Sequence, residues 1–361
     1  MSDDPLKVAV IGAGTMGASH SRVYAEMDDV TLVAVADPNL DASARIARTY
    51  RPRVYTDYRE LLDKEKPDLV TIAVPTKDHG GVACEVMSRG VHVLVEKPLA
   101  LTIEEGITII EAAERYGVKL SVGHIERFNP AIVEVKRRLD NQELGRLYQV
   151  RARRVSPFPG RIQDVGVILD LATHDIDVIR VLLGSEVTRV YAEVERKVHT
   201  SCEDLLSALF RFENGVIGVL DVNWLTPEKV RQLAVLGEGG MYLTDYLTQD
   251  VYWYQNTAMA DTWDSLSLFR GATEGDMVRI HIDKKEPLRA ELESFVAAVR
   301  DDREPEVSGV DALAAIDLSL TLAESGRSHV PLVPRLVAAA ARSGQNGAST
   351  FEAVLTENLL E

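Results

Sequence analysis

Hydrophobic and polar residues alternate at two different periods along this chain, and the change of period divides it into two predicted domains. Up to residue 123, short and wholly apolar runs alternate with amphipathic stretches long enough for helices. Such runs are typical of strands that are covered on both faces. The predicted strands are 8–11, 32–36, 69–74, 91–95 and 118–122. Because they alternate with helices, we predict a Rossmann domain over residues 1–123, with a doubly wound parallel sheet.

Longer strands with alternating apolar and polar positions follow residue 123. The pattern predicts strands at 147–155, 187–198, 205–212, 216–224, 230–236 and 278–282, with a helix at 169–183 between them. Asn214 and Gly215 form a hairpin signal between two of these strands. We therefore predict an α+β domain over residues 124–335, built on a large and mostly antiparallel sheet. Two further helices, at 288–299 and 310–323, are assigned to this domain.

Residues 336–361 are predicted as a C-terminal tail with a short helix. Ser349 and Glu352 have the spacing of a capping box ahead of that helix. The large sheet of the second domain has one face that needs a cover. We expect a second copy of the chain to supply it, in a homo-oligomer that is a dimer or a tetramer.

Three glycines give the first candidate binding site. Gly12, Gly14 and Gly17 have the spacing G-x-G-x-x-G, directly after the first predicted strand and at the start of a helix. This is the context that a dinucleotide-binding motif requires, because the glycines permit a tight turn, an approaching pyrophosphate and close packing of helix on strand. The helix N-terminus supplies N–H groups for the phosphates. We expect Thr15 and Met16 to contact the cofactor as well.

The nature of the dinucleotide is predicted from Asp37. This residue follows the second predicted strand, about 20 positions past the glycine motif, where the adenosine ribose is held. A carboxylate there accepts hydrogen bonds from the ribose hydroxyls and repels a 2′-phosphate. We therefore expect NAD rather than NADP. The alternative is an Asp-Pro turn that only ends the strand.

Candidate residues for chemistry also lie at strand ends of the first domain, where ligands of such sheets bind. Thr76 follows one predicted strand, and Glu96, Lys97 and Pro98 follow the next. A lysine that projects into the cofactor cleft can stabilise the alkoxide formed when a substrate hydroxyl loses its proton. The alternative for Lys97 is a surface lysine in a Glu-Lys-Pro turn.

Asp170 and His174 are four residues apart on the helix predicted at 169–183, so they share a face. Histidine is well suited to proton transfer near neutral pH, and Asp170 can orient it or bind a neighbouring hydroxyl. The alternative is an ion pair on the surface of the helix. Asp175 and Asp177 also raise the question of a metal site. Carboxylates at those offsets point in different directions, so we expect no metal.

The bulk properties exclude several classes of partner. A net charge of −16 at pH 7 argues against nucleic acid and anionic membranes, although a few arginines in one cleft can still bind a small anion. Cys84 and Cys202 are far apart, so we expect reduced thiols, with neither disulfide nor zinc. The N-terminus is acidic, unlike a signal peptide, and no apolar run is long enough to span a bilayer. We expect a soluble, cytoplasmic protein.

The glycine motif, the Glu96-Lys97-Pro98 turn and the helix with Asp170 and His174 together resemble the Gfo/Idh/MocA oxidoreductases, in the right order and up to about residue 325. The resemblance implies an NAD-dependent dehydrogenase in which Lys97 and His174 flank the nicotinamide and the reacting carbon. It also implies that Asp170 assists, that Glu96 and His79 line the cofactor side, and that the Lys97–Pro98 peptide is cis. Whether Lys97 or His174 is the base stays open.

A narrower resemblance concerns the substrate. The stretches 123–130 and 157–166 resemble the UDP-N-acetylglucosamine 3-dehydrogenase branch of the family, which oxidises a sugar 3-hydroxyl to a ketone for a downstream aminotransferase. A UDP-sugar needs cations for its diphosphate, and Arg127, Arg153 and Arg161 are the candidates. Each of them has the alternative of a surface residue.

Other functions remain open within and outside the enzymes. Within the family, the alternatives are an inositol or free-sugar dehydrogenase and a deoxysugar ketoreductase. Outside the enzymes, the alternative is a cofactor-sensing regulatory protein. Such a protein would be expected to lack Lys97 or His174, and this chain has both.

Overall fold

The structure is a computed structural model that describes residues 4–159, 165–198, 201–256 and 275–338. It divides into two compact units. The first contains residues 4–125 and the returning segment Glu286–Asp317, and the second contains residues 126–285 and 318–338, with the gaps given above.

A parallel sheet with the strand order β3-β2-β1-β4-β5-β6 forms the centre of the first unit. This is the order of a dinucleotide-binding Rossmann sheet, so the predicted fold of this part is confirmed. The short β3 and the two helices beside it fall in a stretch for which the apolar pattern predicted no element. The strands are β1 Leu6–Ile11, β2 Val30–Ala36, β3 Arg53–Tyr55, β4 Leu69–Ile72, β5 His92–Val95 and β6 Leu120–Val122.

Local signals in the sequence set the ends of the helices in this unit. The side chains of Asn39 and Thr102 accept hydrogen bonds from N–H groups in the first turns of α2 and α5. Gly117 ends α5 in a left-handed conformation. The helices are α1 Thr15–Ala25, α2 Leu40–Tyr50, α3 Tyr58–Glu65, α4 His79–Met87 and α5 Ile103–Tyr116.

The second unit contains a mostly antiparallel sheet with the order β14-β13-β12-β11-β7-β10-β9-β8, as the predicted α+β class requires. Within this sheet the neighbouring strands β7 and β10 are parallel. Two of its helices are α6 Pro130–Asp140 and α7 Thr173–Leu183. The strands are β7 Leu147–Val155, β8 Val187–Glu195, β9 Leu205–Phe212, β10 Ile217–Asn223, β11 Val230–Gly237, β12 Gly240–Asp245, β13 Asp250–Gln255 and β14 Met277–Ile280.

The chain returns to the first unit through α8, Pro287–Arg300, which corrects the prediction that placed this helix in the second domain. Leu288, Leu292 and Phe295 pack in one buried cluster with Val8 and Val10 of β1. An amphipathic pattern indicates that one face of a helix is buried, but it does not indicate which sheet covers that face. The pattern alone therefore could not assign α8 to a unit. The next helix is α9, Gly309–Ser328.

Two further expectations concern the C-terminal tail and the absence of a membrane span. The tail helix predicted around residues 349–359 lies outside the described residues. Within the part of the chain that is described, every helix is too short or too polar to cross a membrane.

Candidate active site

Two close backbone contacts shape the glycine loop after β1. Gly12 has a φ of +100°, and a Cβ at this position would overlap the carbonyl group of Ala73. A Cβ at Gly17 would overlap the carbonyl oxygen of Gly12. A Cβ at Gly14 would meet no atom of the described part of the chain within 4 Å. The fold itself therefore requires the first and third glycines, while open space lies beside the second.

The start of α1 is arranged as an anion site. Among the described residues no side chain caps its N-terminus, and Gly14, Thr15 and Met16 are exposed. Asp37 at the end of β2 accepts hydrogen bonds from the N–H groups of Ala13 and Asn39, both at 2.7 Å. An uncapped helix N-terminus with open space beside Gly14 fits the pyrophosphate of a dinucleotide, with Asp37 fixed beside the loop.

Lys97 stands at the end of β5 next to a buried carboxylate. The Lys97–Pro98 peptide is cis, as the resemblance implied. Glu96 Oε1 lies 2.6 Å from Nε2 of His20 in α1, and its Oε2 accepts the backbone N–H of Lys97 at 3.2 Å. Burial acts to raise the pKa of Glu96, but His20 and the charge of Lys97 outweigh it and hold that pKa below its ordinary value. An ionised Glu96 thus tethers the backbone at Lys97.

A second buried carboxyl group, Glu291 of α8, lies within electrostatic reach of Glu96. Glu291 is 1% exposed, and neither of its side-chain oxygens has a hydrogen-bond partner among the described residues. Burial, reinforced by the negative charge of Glu96, raises the pKa of Glu291 well above its ordinary value. The protonated form is therefore favoured, as expected for a carboxyl group in a dry interior.

Two other residues from the predicted cofactor set follow β4. Thr76 begins a one-turn 3₁₀ helix and is half-buried. His79 is buried, with Nδ1 2.9 Å from the carbonyl oxygen of Pro98 and Nε2 3.0 Å from that of Val74. The imidazole therefore joins the loop after β4 to the loop after β5. This geometry suits a role in holding the Lys97 turn better than direct contact with a cofactor.

The segment with Asp170 and His174 is not a uniform α-helix. It begins as a π-helical turn, Ile168–Ala172, and continues as α7. Asp170 lies in the π turn and His174 in the first turn of α7, and both are half-buried. Apolar periodicity does not distinguish a π turn from an α turn, so the prediction missed it. Such turns occur frequently at functional sites, where they change the direction of a side chain.

Arginines bind the two aspartates that follow His174. On β7, Arg154 donates from Nε to Asp175 at 2.6 Å and from Nη1 to Glu126 at 3.0 Å. Arg127 donates from Nε to Asp177 at 2.7 Å, and a second bond makes this pair bidentate. Arg154, Asp175 and Asp177 are at most 1% exposed. These carboxylates are therefore counter-ions of buried arginines, which is a structural role.

This arrangement changes the set of arginines available for a substrate. Arg127 is part of the pair with Asp177. Arg153 is the neighbour of Arg154 on β7, so it points to the face of the sheet away from α7, where it pairs with Asp221 at 3.3 Å. The structure therefore does not bring Arg153 together with Asp170 and His174. Arg161 lies outside the described residues.

Three residues with clear structural connections to this site were not singled out from the sequence. His20 lies three positions after Gly17, and that offset on a helix was the available signal. Arg154 could have been found by noting that neighbours on a strand face opposite ways. Glu291 gave no signal, because a glutamate in an amphipathic helix is ordinarily a solvated residue.

Two family models match the chain. One, described as an oxidoreductase family with an NAD-binding Rossmann fold, matches residues 6–124, and the corresponding GFO/IDH/MocA C-terminal domain matches residues 132–243. The chain is 30% identical to UDP-N-acetylglucosamine 3-dehydrogenase of Acidithiobacillus ferrooxidans, over 84% of this chain and 92% of that protein.

Two further likenesses extend over most of the chain. A solved structure of the Acidithiobacillus ferrooxidans enzyme has a TM-score of 0.79 at 28% identity and covers 90% of this chain and 98% of that one. The chain is also 27% identical to scyllo-inositol 2-dehydrogenase (NAD(+)) of Bacillus subtilis, over 91% of this chain and 96% of that protein. With the Rossmann sheet and its open glycine loop, these matches establish that the chain belongs to the GFO/IDH/MocA family of NAD-binding oxidoreductases and is an NAD-dependent dehydrogenase that acts on CH–OH groups.

Proposed function

We propose that this dehydrogenase oxidises a secondary hydroxyl of a sugar to a ketone, and that its substrate is a UDP-N-acetylhexosamine oxidised at the 3-hydroxyl. The observation that carries the reaction type is the combination of a tethered lysine at the end of β5 with the Asp170–His174 pair at a π turn. The 30% identity to a UDP-N-acetylglucosamine 3-dehydrogenase supports the substrate.

The chemistry assigned to these side chains is the removal of one proton and one hydride from the substrate. His174 accepts the proton of the sugar hydroxyl as the hydride leaves the same carbon. Bound NAD supplies the hydride acceptor. Lys97 stabilises the negative charge that develops on the oxygen, and Asp170 holds the hydroxyl or the imidazole. The pH dependence of kcat in variants of Lys97 and His174 tests this assignment of the base to His174.

The geometry of the first unit supports the cofactor-binding roles that we propose. Backbone N–H groups of Gly14, Thr15 and Met16 at the start of α1 hold the pyrophosphate. Asp37 accepts hydrogen bonds from the adenosine ribose. Thr76 and Glu96 lie at the ends of neighbouring strands β4 and β5, where they border the nicotinamide side.

The alternative substrates are free polyols, because an inositol dehydrogenase is also among the relatives, and deoxysugars that are reduced rather than oxidised. NADH formation should be followed with UDP-N-acetylglucosamine, UDP-glucose, free hexoses and inositols. Oxidation of the UDP-N-acetylhexosamine with a kcat/KM far above that of the polyols is expected. Activity confined to unphosphorylated polyols would overturn the nucleotide-sugar proposal. The absence of turnover with every substrate would favour the cofactor-sensing alternative.

Two partners belong to this proposal. A 3-keto sugar nucleotide is a carbonyl compound that an aminotransferase can convert to an amine, so an enzyme of that class is the expected next step. The sheet of the second unit exposes residues such as Leu209, which is 50% exposed, and we propose that a second copy of the chain covers this face in a homo-oligomer.

A further inference from the structure

Basic side chains of the neighbouring strands β7 and β11 lie on the α7-facing side of the second unit's sheet. Arg154 of β7 binds Asp175 of α7, which identifies this face. Arg231 of β11 is the direct cross-strand partner of Arg154. Residues opposite each other on adjacent strands project to the same side, so Arg231 also faces α7. Lys229 immediately precedes β11.

Arg154 and Arg231 differ in how closely carboxylates pair with them. Arg154 is fully buried and has two carboxylate partners within 3.0 Å, Asp175 and Glu126. The side chain of Arg231 is 32% exposed, and its one ion-pair partner in the described part of the chain is Glu126 at 3.8 Å. Lys229 is exposed and has no ion-pair partner among the described residues. The fold thus neutralises Arg154 and leaves two accessible cations beside it.

Lys229 and Arg231 repel each other, and Arg154 repels both of them. The charge of Arg231, then burial and the charge of Arg154, lower the pKa of Lys229. Burial, then the charge of Arg154, lower the pKa of Arg231, although Glu126, Asp175 and Asp170 act in the opposite direction. Like charges on directly opposed residues of a sheet destabilise it. An anion bound to both side chains would relieve that repulsion.

Lys229 and Arg231 belong to the same unit as the candidate catalytic residue Asp170. Arg231 is close enough to Asp170 for the two charges to interact, and both belong to the second unit. Two cations from residues i and i+2 are about 7 Å apart along a strand, so they suit an anion with two charged groups. Arginine binds phosphate through a planar fork and lysine through a point charge.

We propose that Lys229 and Arg231 form a subsite for the diphosphate of a nucleoside-diphosphate sugar. This inference rests on the proposed function for the identity of the substrate. The subsite itself is a statement about anion binding, and it can be tested without turnover.

The test is isothermal titration of the NAD-loaded protein with UDP, inorganic pyrophosphate, uridine and glucuronate. UDP and pyrophosphate should bind, and uridine and glucuronate should bind far more weakly. In Lys229→Gln and Arg231→Gln, the affinity for UDP should fall about ten- to hundredfold in each, as expected when a charge-assisted hydrogen bond is lost. Arg151→Gln is the matched control, because this exposed arginine of β7 lies two residues from Arg153 on the face away from α7.

The outcomes separate the subsite from the proposed function. If UDP-sugars are oxidised but both glutamine variants keep the wild-type UDP affinity, the subsite is wrong and the function stands. If pyrophosphate binds the wild type and not the variants, while UDP-sugars are not oxidised, the subsite stands and the substrate is wrong. Glucuronate binding that equals pyrophosphate binding would overturn the diphosphate assignment. Because the substitutions remove like-charge repulsion, the thermal midpoints of both variants should equal or exceed that of the wild type.

Discussion

The two units of this protein differ in the groups that they offer to an anion. In the first unit the expected binding groups are backbone N–H groups at the uncapped start of α1, with open space beside Gly14. In the second unit the cations are side chains, and the most deeply buried ones are already bound to Asp175, Asp177 and Glu126.

This difference shows what makes a charge available to a ligand. The N-terminus of a helix offers its N–H groups as soon as the helix forms, unless a side chain caps it. An arginine is available only when the fold has not supplied a carboxylate to it. Arg127 and Arg154 have such carboxylates, whereas Lys229 has none among the described residues and Arg231 shares a distant one.

The largest expected effect comes from removing one catalytic candidate in each unit. Lys97→Ala and His174→Ala should each lower kcat by about a hundred- to ten-thousandfold, as expected when a general acid–base or charge-stabilising group is lost. NAD affinity, measured by titration, should stay near the wild-type value in His174→Ala, because the phosphate-binding groups belong to the first unit.

Surface residues of the same type serve as controls for these variants. Lys64→Ala removes an exposed lysine that pairs with Glu60, and His329→Ala removes an exposed histidine near Glu193. Both should retain wild-type turnover. Substantial activity in Lys97→Ala or His174→Ala would contradict the proposed mechanism.

The next effect concerns stability and the two faces of β7. Arg154→Met should lower the free energy of unfolding by about 3–5 kcal/mol, because it leaves Asp175 and Glu126 without their buried cation. Arg153→Met, one residue away on the other face, removes an exposed pair with Asp221 and should cost less than about 1 kcal/mol. Urea unfolding of the two variants compares them directly. Equal losses would contradict the assignment of faces.

A further effect is a dependence of stability on pH that originates in the first unit. Burial and then the charge of Glu96 raise the pKa of Glu291 in the folded state, so the folded protein holds this proton more tightly than the unfolded chain. The contribution of Glu291 to stability is therefore complete below its unfolded pKa. It falls as the pH rises and is lost through the folded pKa, at about 1.4 kcal/mol per pH unit between the two values.

Glu291→Gln should remove this dependence, since the amide cannot ionise. The variant should unfold at a higher temperature than the wild type at alkaline pH, and the difference should shrink toward acidic pH. The groups known to face Glu291 are Glu96, His20 through its bond to Glu96, and Tyr24, whose pKa Glu291 helps to raise. Parallel melting curves of variant and wild type at all pH values would show that Glu291 keeps its proton throughout.

The amino-acid sequence by itself determined the parts of the molecule that consecutive residues define. The glycine spacing after an apolar run fixes the turn between β1 and α1, because Gly12 and Gly17 have no room for a side chain. The alternation of strands and helices fixes the parallel sheet, and the longer alternating strands fix the antiparallel one. Each of these features depends on residues that are close together in the sequence, so the sequence pattern is enough to predict it.

The tertiary structure decided which charged side chains are paired with an opposite charge inside the protein and which stay accessible to a ligand. Arg153 and Arg154 are neighbours in sequence, yet only the pairing of β7 beneath α7 buries one and exposes the other. Arg231 lies opposite Arg154 through strand register, and Glu291 reaches Glu96 through the packing of α8 on the first unit. A charge depends on every group that folding brings near it, and most of those groups are distant in the chain.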